Sequence, residues 1–247
     1  MRHATQSDGD GVVVKLLVHS QELEILEYLH SIRSSFNHTV PLLGSLKSNT
    51  STFIVLPEAT PLNLAFAYRM FRNNVVDFSQ QLIEGVAFLH SQGIAHLDIK
   101  PQNIVVVPNQ LFIIDFDISV RVDSPSMLID RWCGTPGWMA PEIGHRNGPK
   151  CWYSPIRADL WSCGLVLQYL ARKGDVEEEN PFEVLTCELL NEMPQLRPLL
   201  HRLPWLHRQI SFTGGHSLSE PQGTMKRKKP DTLPHDAKRL AIGTVHP

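Results

Sequence analysis

Along this chain the spacing of apolar residues changes several times, and each spacing predicts a different element. "GVVVKLLV" (11–18) is an apolar, β-branched run broken only by Lys15, which predicts a strand. "SQELEILEYLHSI" (20–32) switches to helical spacing, with Glu22, Leu26 and Leu29 on one face. "STFIVLP" (51–57) is a second strand, stopped by Pro57. "VVDFSQQLIEGVAFLHSQG" (75–93) aligns Val75, Phe78, Leu82, Val86 and Leu89 in one stripe. Gly93 sits there where a helix commonly ends on a left-handed residue. "NIVVV" and "QLFIID" (103–107 and 110–115) are two short strands around "PN", a hairpin signal. "RADLWSCGLVLQYLA" (157–171) has helical length and is apolar on nearly every side, which predicts a helix buried all round.

Strands with one helix come first and a mainly helical part follows, so the order predicts two lobes with a cleft between them. Four segments result: a polar N-terminus (1–10), a small strand-bearing lobe (11–57), a connection with a helical lobe (58–210), and a tail (211–247). The tail is rich in Gly, Ser, Thr and Pro and has no periodicity, so it is expected to be disordered. It carries six Lys/Arg against three acids, whereas residues 1–210 carry 17 against 22. The tail's run Lys226–Lys229 is either a solvated charge cluster or a nuclear import signal. No other basic stretch points to nucleic acid. The apolar runs are too short to span a membrane, and the start has no apolar signal region. A cytoplasmic and/or nuclear location is expected. The four cysteines form no CxxC pair and are expected to be reduced thiols.

Asp98, Lys100 and Asn103 lie within six positions of one another in "HLDIKPQN", and Asp115 ends the following strand pair. Carboxylates at strand ends beside a cleft are plausible bases or metal ligands. Phosphoryl transfer requires such a set: a carboxylate for the hydroxyl proton, oxygen ligands for Mg²⁺, and cations for the phosphate charge. Taken alone, the same residues are equally compatible with a solvated polar turn.

Four motifs follow in fixed order: "HLDIKPQN", "IIDFD", "GTPGWMAPE" and "DLWSCG". Over roughly residues 12–207 the chain resembles the eukaryotic protein kinase family. The resemblance implies an α+β, two-lobed kinase-like fold with a reduced, β-rich N-lobe and a mainly helical C-lobe. It implies ATP and Mg²⁺ as cofactors and a protein with Ser/Thr hydroxyls as substrate; it leaves the oligomeric state open. Asp98 resembles the aspartate that engages the substrate hydroxyl, Lys100 the lysine beside the γ-phosphate, and Thr135 the threonine that braces this loop. Asn103 and Asp115 resemble the two metal-binding residues. "VVVK" and "ELEILEYL" resemble the strand and helix that pair Lys15 with Glu22 around the α- and β-phosphates. "PEATPL" (57–62) resembles the interlobe hinge, so Glu58 would contact the nucleotide and Leu56 would guard the back pocket. Glu142 with Arg197 resembles a buried ion pair, and Asp159 the buried anchor of the catalytic loop. Leu26, Leu42, His96 and Phe116 would stack as a hydrophobic spine.

The chain also departs from the family. It has no glycine-rich loop; ten residues before "GVVVK" are too few for two strands, and no hairpin is expected around "DGDG". That absence predicts either that the sequence is a fragment of a longer gene product or that ATP binding is weak. Leu97 replaces an arginine that meets a phosphorylated activation segment, so switching through that contact is not expected. Asp117 replaces a glycine, which predicts a stiffer segment where positive φ is wanted and a further carboxylate near the metal. "IDFD" is similar to the wording of fungal kinase-like proteins. Two functions remain: a Ser/Thr protein kinase with weakened ATP binding, or a catalytically impaired pseudokinase that acts as a protein-binding scaffold.

Overall fold

The computed structural model describes residues 2–5, 11–65, 73–174 and 180–207. The tail expected from 211 onward, with the run Lys226–Lys229, lies outside the described residues. Strand β1 (Arg2–Thr5) is followed by β2 (Gly11–Leu17), helix α1 (Gln21–Ser31), β3 (Gly44–Lys47) and β4 (Thr52–Pro57). These four strands form an antiparallel sheet in the order β1-β2-β4-β3.

The expectation of no hairpin around residues 6–10 is corrected. β1 pairs antiparallel with β2 from Arg2↔Val14 to Thr5↔Gly11. "RHAT" has no alternation of apolar residues to announce a strand. The ladder is made of backbone groups, however, and needs only a neighbouring strand edge. Among the described residues, β1 precedes the lysine strand. β3 was also not foreseen, because Ser45, Leu46 and Lys47 are all exposed at the sheet's edge.

After β4, the short strand β5 (Thr60–Pro61) and the single-turn helix α2 (Leu62–Ala65) lead toward helix α3 (Val75–Ser91). The predicted stripe of α3 is fully internal: Val75, Phe78, Leu82, Val86 and Leu89 are all buried. Gly93 follows with φ +67, the left-handed conformation that only glycine adopts without strain. β6 (Ile94–Ala95) pairs with β9 (Val120–Arg121), and β7 (Ile104–Val107) with β8 (Gln110–Ile113) as a hairpin turned at Asn109, φ +63. α4 (Pro155–Lys173) begins two residues before the predicted helix, because Ser154 caps its first turn by accepting from the Arg157 N–H. No residue from Pro155 to Ala171 is exposed, as the apolar pattern predicted. α5 (Glu183–Leu189) and α6 (Pro204–His207) complete the helical part. One continuous core joins α1, β4, α3, the β7–β8 hairpin and α4, and it includes Leu26, Leu56, Phe116 and Leu167.

Candidate active site

The arrangement starts from Asp159, inside α4 and inaccessible to solvent. Its carboxylate accepts the backbone N–H of His96 at 2.6 Å and of Leu97 at 2.7 Å, and it pairs with His90 Nε2 at 3.1 Å. A buried carboxylate is tolerated only with such partners. These bonds hold Leu97, itself buried, at φ +66, a conformation uncommon for a branched side chain. The turn then delivers Asp98 to the surface of the core.

Asp98 is the hub of a closed polar network. Its Oδ1 accepts the Thr135 hydroxyl at 2.7 Å. Its Oδ2 accepts Lys100 Nζ at 2.6 Å and Asn103 Nδ2 at 2.8 Å. Lys100 Nζ donates a second bond to Thr135 Oγ1 at 2.7 Å. Asp98, Lys100, Asn103 and Thr135, separated by up to 37 residues in the chain, thus hold one another by charge-assisted bonds.

A second cluster surrounds Lys15. Its ammonium lies 2.9 and 2.7 Å from the two oxygens of Glu22, 2.6 Å from Asp115 Oδ1 and 3.4 Å from Asp117 Oδ2. Burial alone would lower the lysine's pKa, but the hydrogen bonds it donates to Asp115 and Glu22 outweigh it and hold the group above its ordinary value. Glu22 is pushed up to about 7, chiefly by burial and further by Asp117, against the pull of Lys15. Asp117 is held below the usual carboxylate range. Its burial acts the other way and is outweighed by Glu22 and Lys15. The oxygens of Glu22, Asp115 and Asp117 lie within 4.8 Å of one another. Hard oxygen donors at this spacing fit a divalent cation such as Mg²⁺.

The two clusters share a backbone. Asn103 and Asp115 leave the open end of the β7–β8 hairpin, where the Ile114 N–H donates to the Asn103 carbonyl at 3.0 Å. His96 Nε2 bonds the Ile114 carbonyl at 2.9 Å, and its ring packs on Phe116 with centroids 5.0 Å apart. Leu26 is buried with them, and Leu42 packs half-buried against the same core. Leu56 lies inside the core on β4. The Glu58 N–H donates to the Gly11 carbonyl at 2.9 Å, and any side chain at position 11 would collide with the Glu58 carboxylate. Glu142 and Arg197 meet in a bidentate pair at 2.6 and 2.9 Å.

One expectation about the site is corrected. Positive φ falls on Asp115, at +72, and not on Asp117. The absent glycine at 117 therefore costs no left-handed strain; what it introduces is a carboxylate beside Lys15. The sequence pointed to a further carboxylate near the metal; its contact with Lys15 was not foreseen. The spacing of Asp117, two residues past Asp115, was the signal for a second acid on the same lysine.

Comparison with known proteins decides the class. The protein kinase domain family matches residues 3–208. The chain belongs to the protein kinase family. Among its relatives, CBL-interacting serine/threonine-protein kinase 5 of Arabidopsis thaliana is 40% identical over 188 residues, covering 64% of this chain and 41% of the relative. CBL-interacting protein kinase 24 of Oryza sativa subsp. japonica is 31% identical over 170 residues, 66% of this chain and 36% of the relative. CBL-interacting serine/threonine-protein kinase 15 of Arabidopsis thaliana reaches 42% over 93 residues, 36% of this chain and 21% of the relative. The chain thus spans well under half the length of these kinases. Among the described residues no helix is long and apolar enough to cross a membrane.

Proposed function

We propose that this kinase-family chain transfers the γ-phosphoryl group of ATP to serine or threonine hydroxyls of a protein. The observation that carries the reading is the closed network of Asp98, Lys100, Asn103 and Thr135. In this reading the sheet with α1 forms a small lobe, and the helical part beyond Pro57 forms the large one. Asp98 orients the substrate hydroxyl and accepts its proton as the new O–P bond forms and the β–γ bridging P–O bond breaks, releasing ADP. Lys100 offsets charge on the transferred phosphoryl group, and Thr135 keeps Asp98 and Lys100 aligned. Asp115 and Asn103 would hold Mg²⁺, which would neutralise phosphate charge. Lys15, positioned by Glu22, meets the α- and β-phosphates, and Leu56 and Glu58 border the adenine.

Two features support weak nucleotide binding. The given sequence holds no glycine-rich loop like the family's; a chain that lacks its backbone donors loses about 1.5–3 kcal/mol for each bond to an anion, and losing two weakens ATP at least about a hundredfold. The phosphates must also compete with three carboxylates for Lys15. The test is ATP titration of the purified chain with and without Mg²⁺, paired with radiolabel transfer by wild type and D115A. Weak, Mg²⁺-dependent binding and slow transfer that D115A abolishes are expected. Micromolar ATP affinity would overturn the argument from the loop, and no binding at millimolar ATP would favour the scaffold reading. The basic run at 226–229 supports a cytoplasmic and nuclear location, which a fluorescent fusion of the full chain tests.

A further inference from the structure

A cavity of about 540 Å³ lies away from the two clusters described above. It opens between residues 125–128, the start of α4 with the residues before it, and the turns at 194–202. Asp98, Asn103 and Asp115 take no part in it. Its apolar side is uncovered: Leu128 is 51% and Trp152 66% exposed, and Pro125 and Leu199 line the same cavity. An aromatic and a leucine exposed around one concavity mark a surface that a partner can cover.

The polar side is cationic. Arg157 and Arg202 line the cavity, half-buried and exposed respectively. The acid that also lines it, Glu142, has both oxygens engaged by Arg197. Among the described residues neither Arg157 nor Arg202 has a carboxylate within ion-pair distance. Arg157 is held below its ordinary pKa by burial and then by the charges of Arg197 and Arg202. Like charges concentrated this way attract an anion. The surroundings do not share this character, since residues 1–210 carry 17 basic against 22 acidic side chains. Two guanidiniums beside an apolar wall form a local pocket and not the basic stripe that a nucleic acid follows.

We propose that this groove docks an acidic segment of a protein partner, with its carboxylates on Arg157 and Arg202 and an aromatic or aliphatic side chain against Leu128 and Trp152. The groove is built partly from the segment between Asp115 and Glu142, so a substrate held there is tethered close to the catalytic network. That last step rests on the kinase reading; the docking itself does not.

The experiment uses the full chain without ATP. A short fluorescein-labelled peptide bearing two glutamates beside a tryptophan and a leucine is titrated by fluorescence anisotropy. Saturable binding that weakens with salt is expected. It should fall at least tenfold when lysines replace the glutamates and when glycines replace the tryptophan and leucine. R202E and W152S should each weaken it at least tenfold with unchanged thermal melting and unchanged ATP titration. R202E should recover affinity for the lysine peptide. Equal binding of the glutamate and lysine peptides, or by wild type and R202E, overturns the proposal. Binding that requires phosphoserine in place of glutamate overturns the choice of a carboxylate partner. Because these readings need no turnover, loss of phosphoryl transfer with intact peptide binding would count against the kinase reading alone.

Discussion

Replacing Thr135 with valine removes one oxygen and keeps the volume of the side chain. In the structure that oxygen donates to Asp98 Oδ1 at 2.7 Å and accepts from Lys100 Nζ at 2.7 Å. A hydrogen bond to a charged group contributes about 1.5–3 kcal/mol. Two are lost, but Asp98 and Lys100 remain paired through Oδ2 at 2.6 Å, and both side chains keep some contact with water, 13% and 17% exposed. Solvent therefore replaces part of what is removed, and one bond's worth, about 1.5–3 kcal/mol, is the expected net loss. If that loss falls on the transition state, T135V lowers kcat by about ten- to 150-fold. T135S, which restores the hydroxyl, recovers most of it. ATP affinity should not move, because the Thr135 hydroxyl bonds to the Asp98 network and not to the Lys15 cluster. The assay is steady-state phosphoryl transfer to a mixed Ser/Thr peptide library, alongside ATP titration. A T135V enzyme as fast as wild type, or a T135S enzyme as slow as T135V, would refute the assignment of this network to catalysis.

Arg197 is fully buried and meets Glu142 through two bonds while also donating to the carbonyls of Asn191 and Arg157. R197M should therefore cost about 3–5 kcal/mol by urea denaturation, and an unchanged midpoint would contradict it. Glu22 titrates near pH 7 when folded and near 4.5 when unfolded, so the folded chain holds the extra proton between these values. Stability from this group is fully present below about pH 4.5 and declines by at most about 3 kcal/mol as pH rises through 7. E22Q should flatten that slope in urea midpoints taken from pH 5 to 8. Leu97 cannot bond a phosphate, so phosphatase treatment should leave turnover unchanged; abolished turnover would refute this.

Much of the arrangement was legible because it depends on periodicity and on motif order. The stripe of α3 and the burial of α4 follow from spacing alone, since an apolar face has nowhere to go except the core. The pairing of Lys15 with Glu22 and the union of Glu142 with Arg197 were legible only through the family's motifs. β1 and β3 were not legible. "RHAT" and "GSLK" carry no apolar alternation, and a ladder at a sheet edge is written in backbone groups that every residue has. The role of Asp117 was hidden for a different reason. Its carboxylate reaches a lysine 102 positions earlier in the chain, a contact that only the packed core specifies.

Several bonds that anchor the site join distant parts of the chain. Lys15 and Asp115 are 100 residues apart, Asp159 and Leu97 62, and Arg197 and Glu142 55. Lengthening a closed loop from about 50 to about 100 residues adds only about 0.6 kcal/mol of entropy, so thermodynamics barely distinguishes them. Kinetics does, because contacts of high sequence separation form after local helices and hairpins. α3 and the β7–β8 hairpin are local units able to form early, whereas the Lys15 cluster and the Asp159 anchor close last. Substitutions at these anchors should then leave the refolding rate nearly unchanged and accelerate unfolding. The Lys15 cluster and the Asp159 anchor are therefore expected to be among the last parts of the molecule to form and the first to come apart.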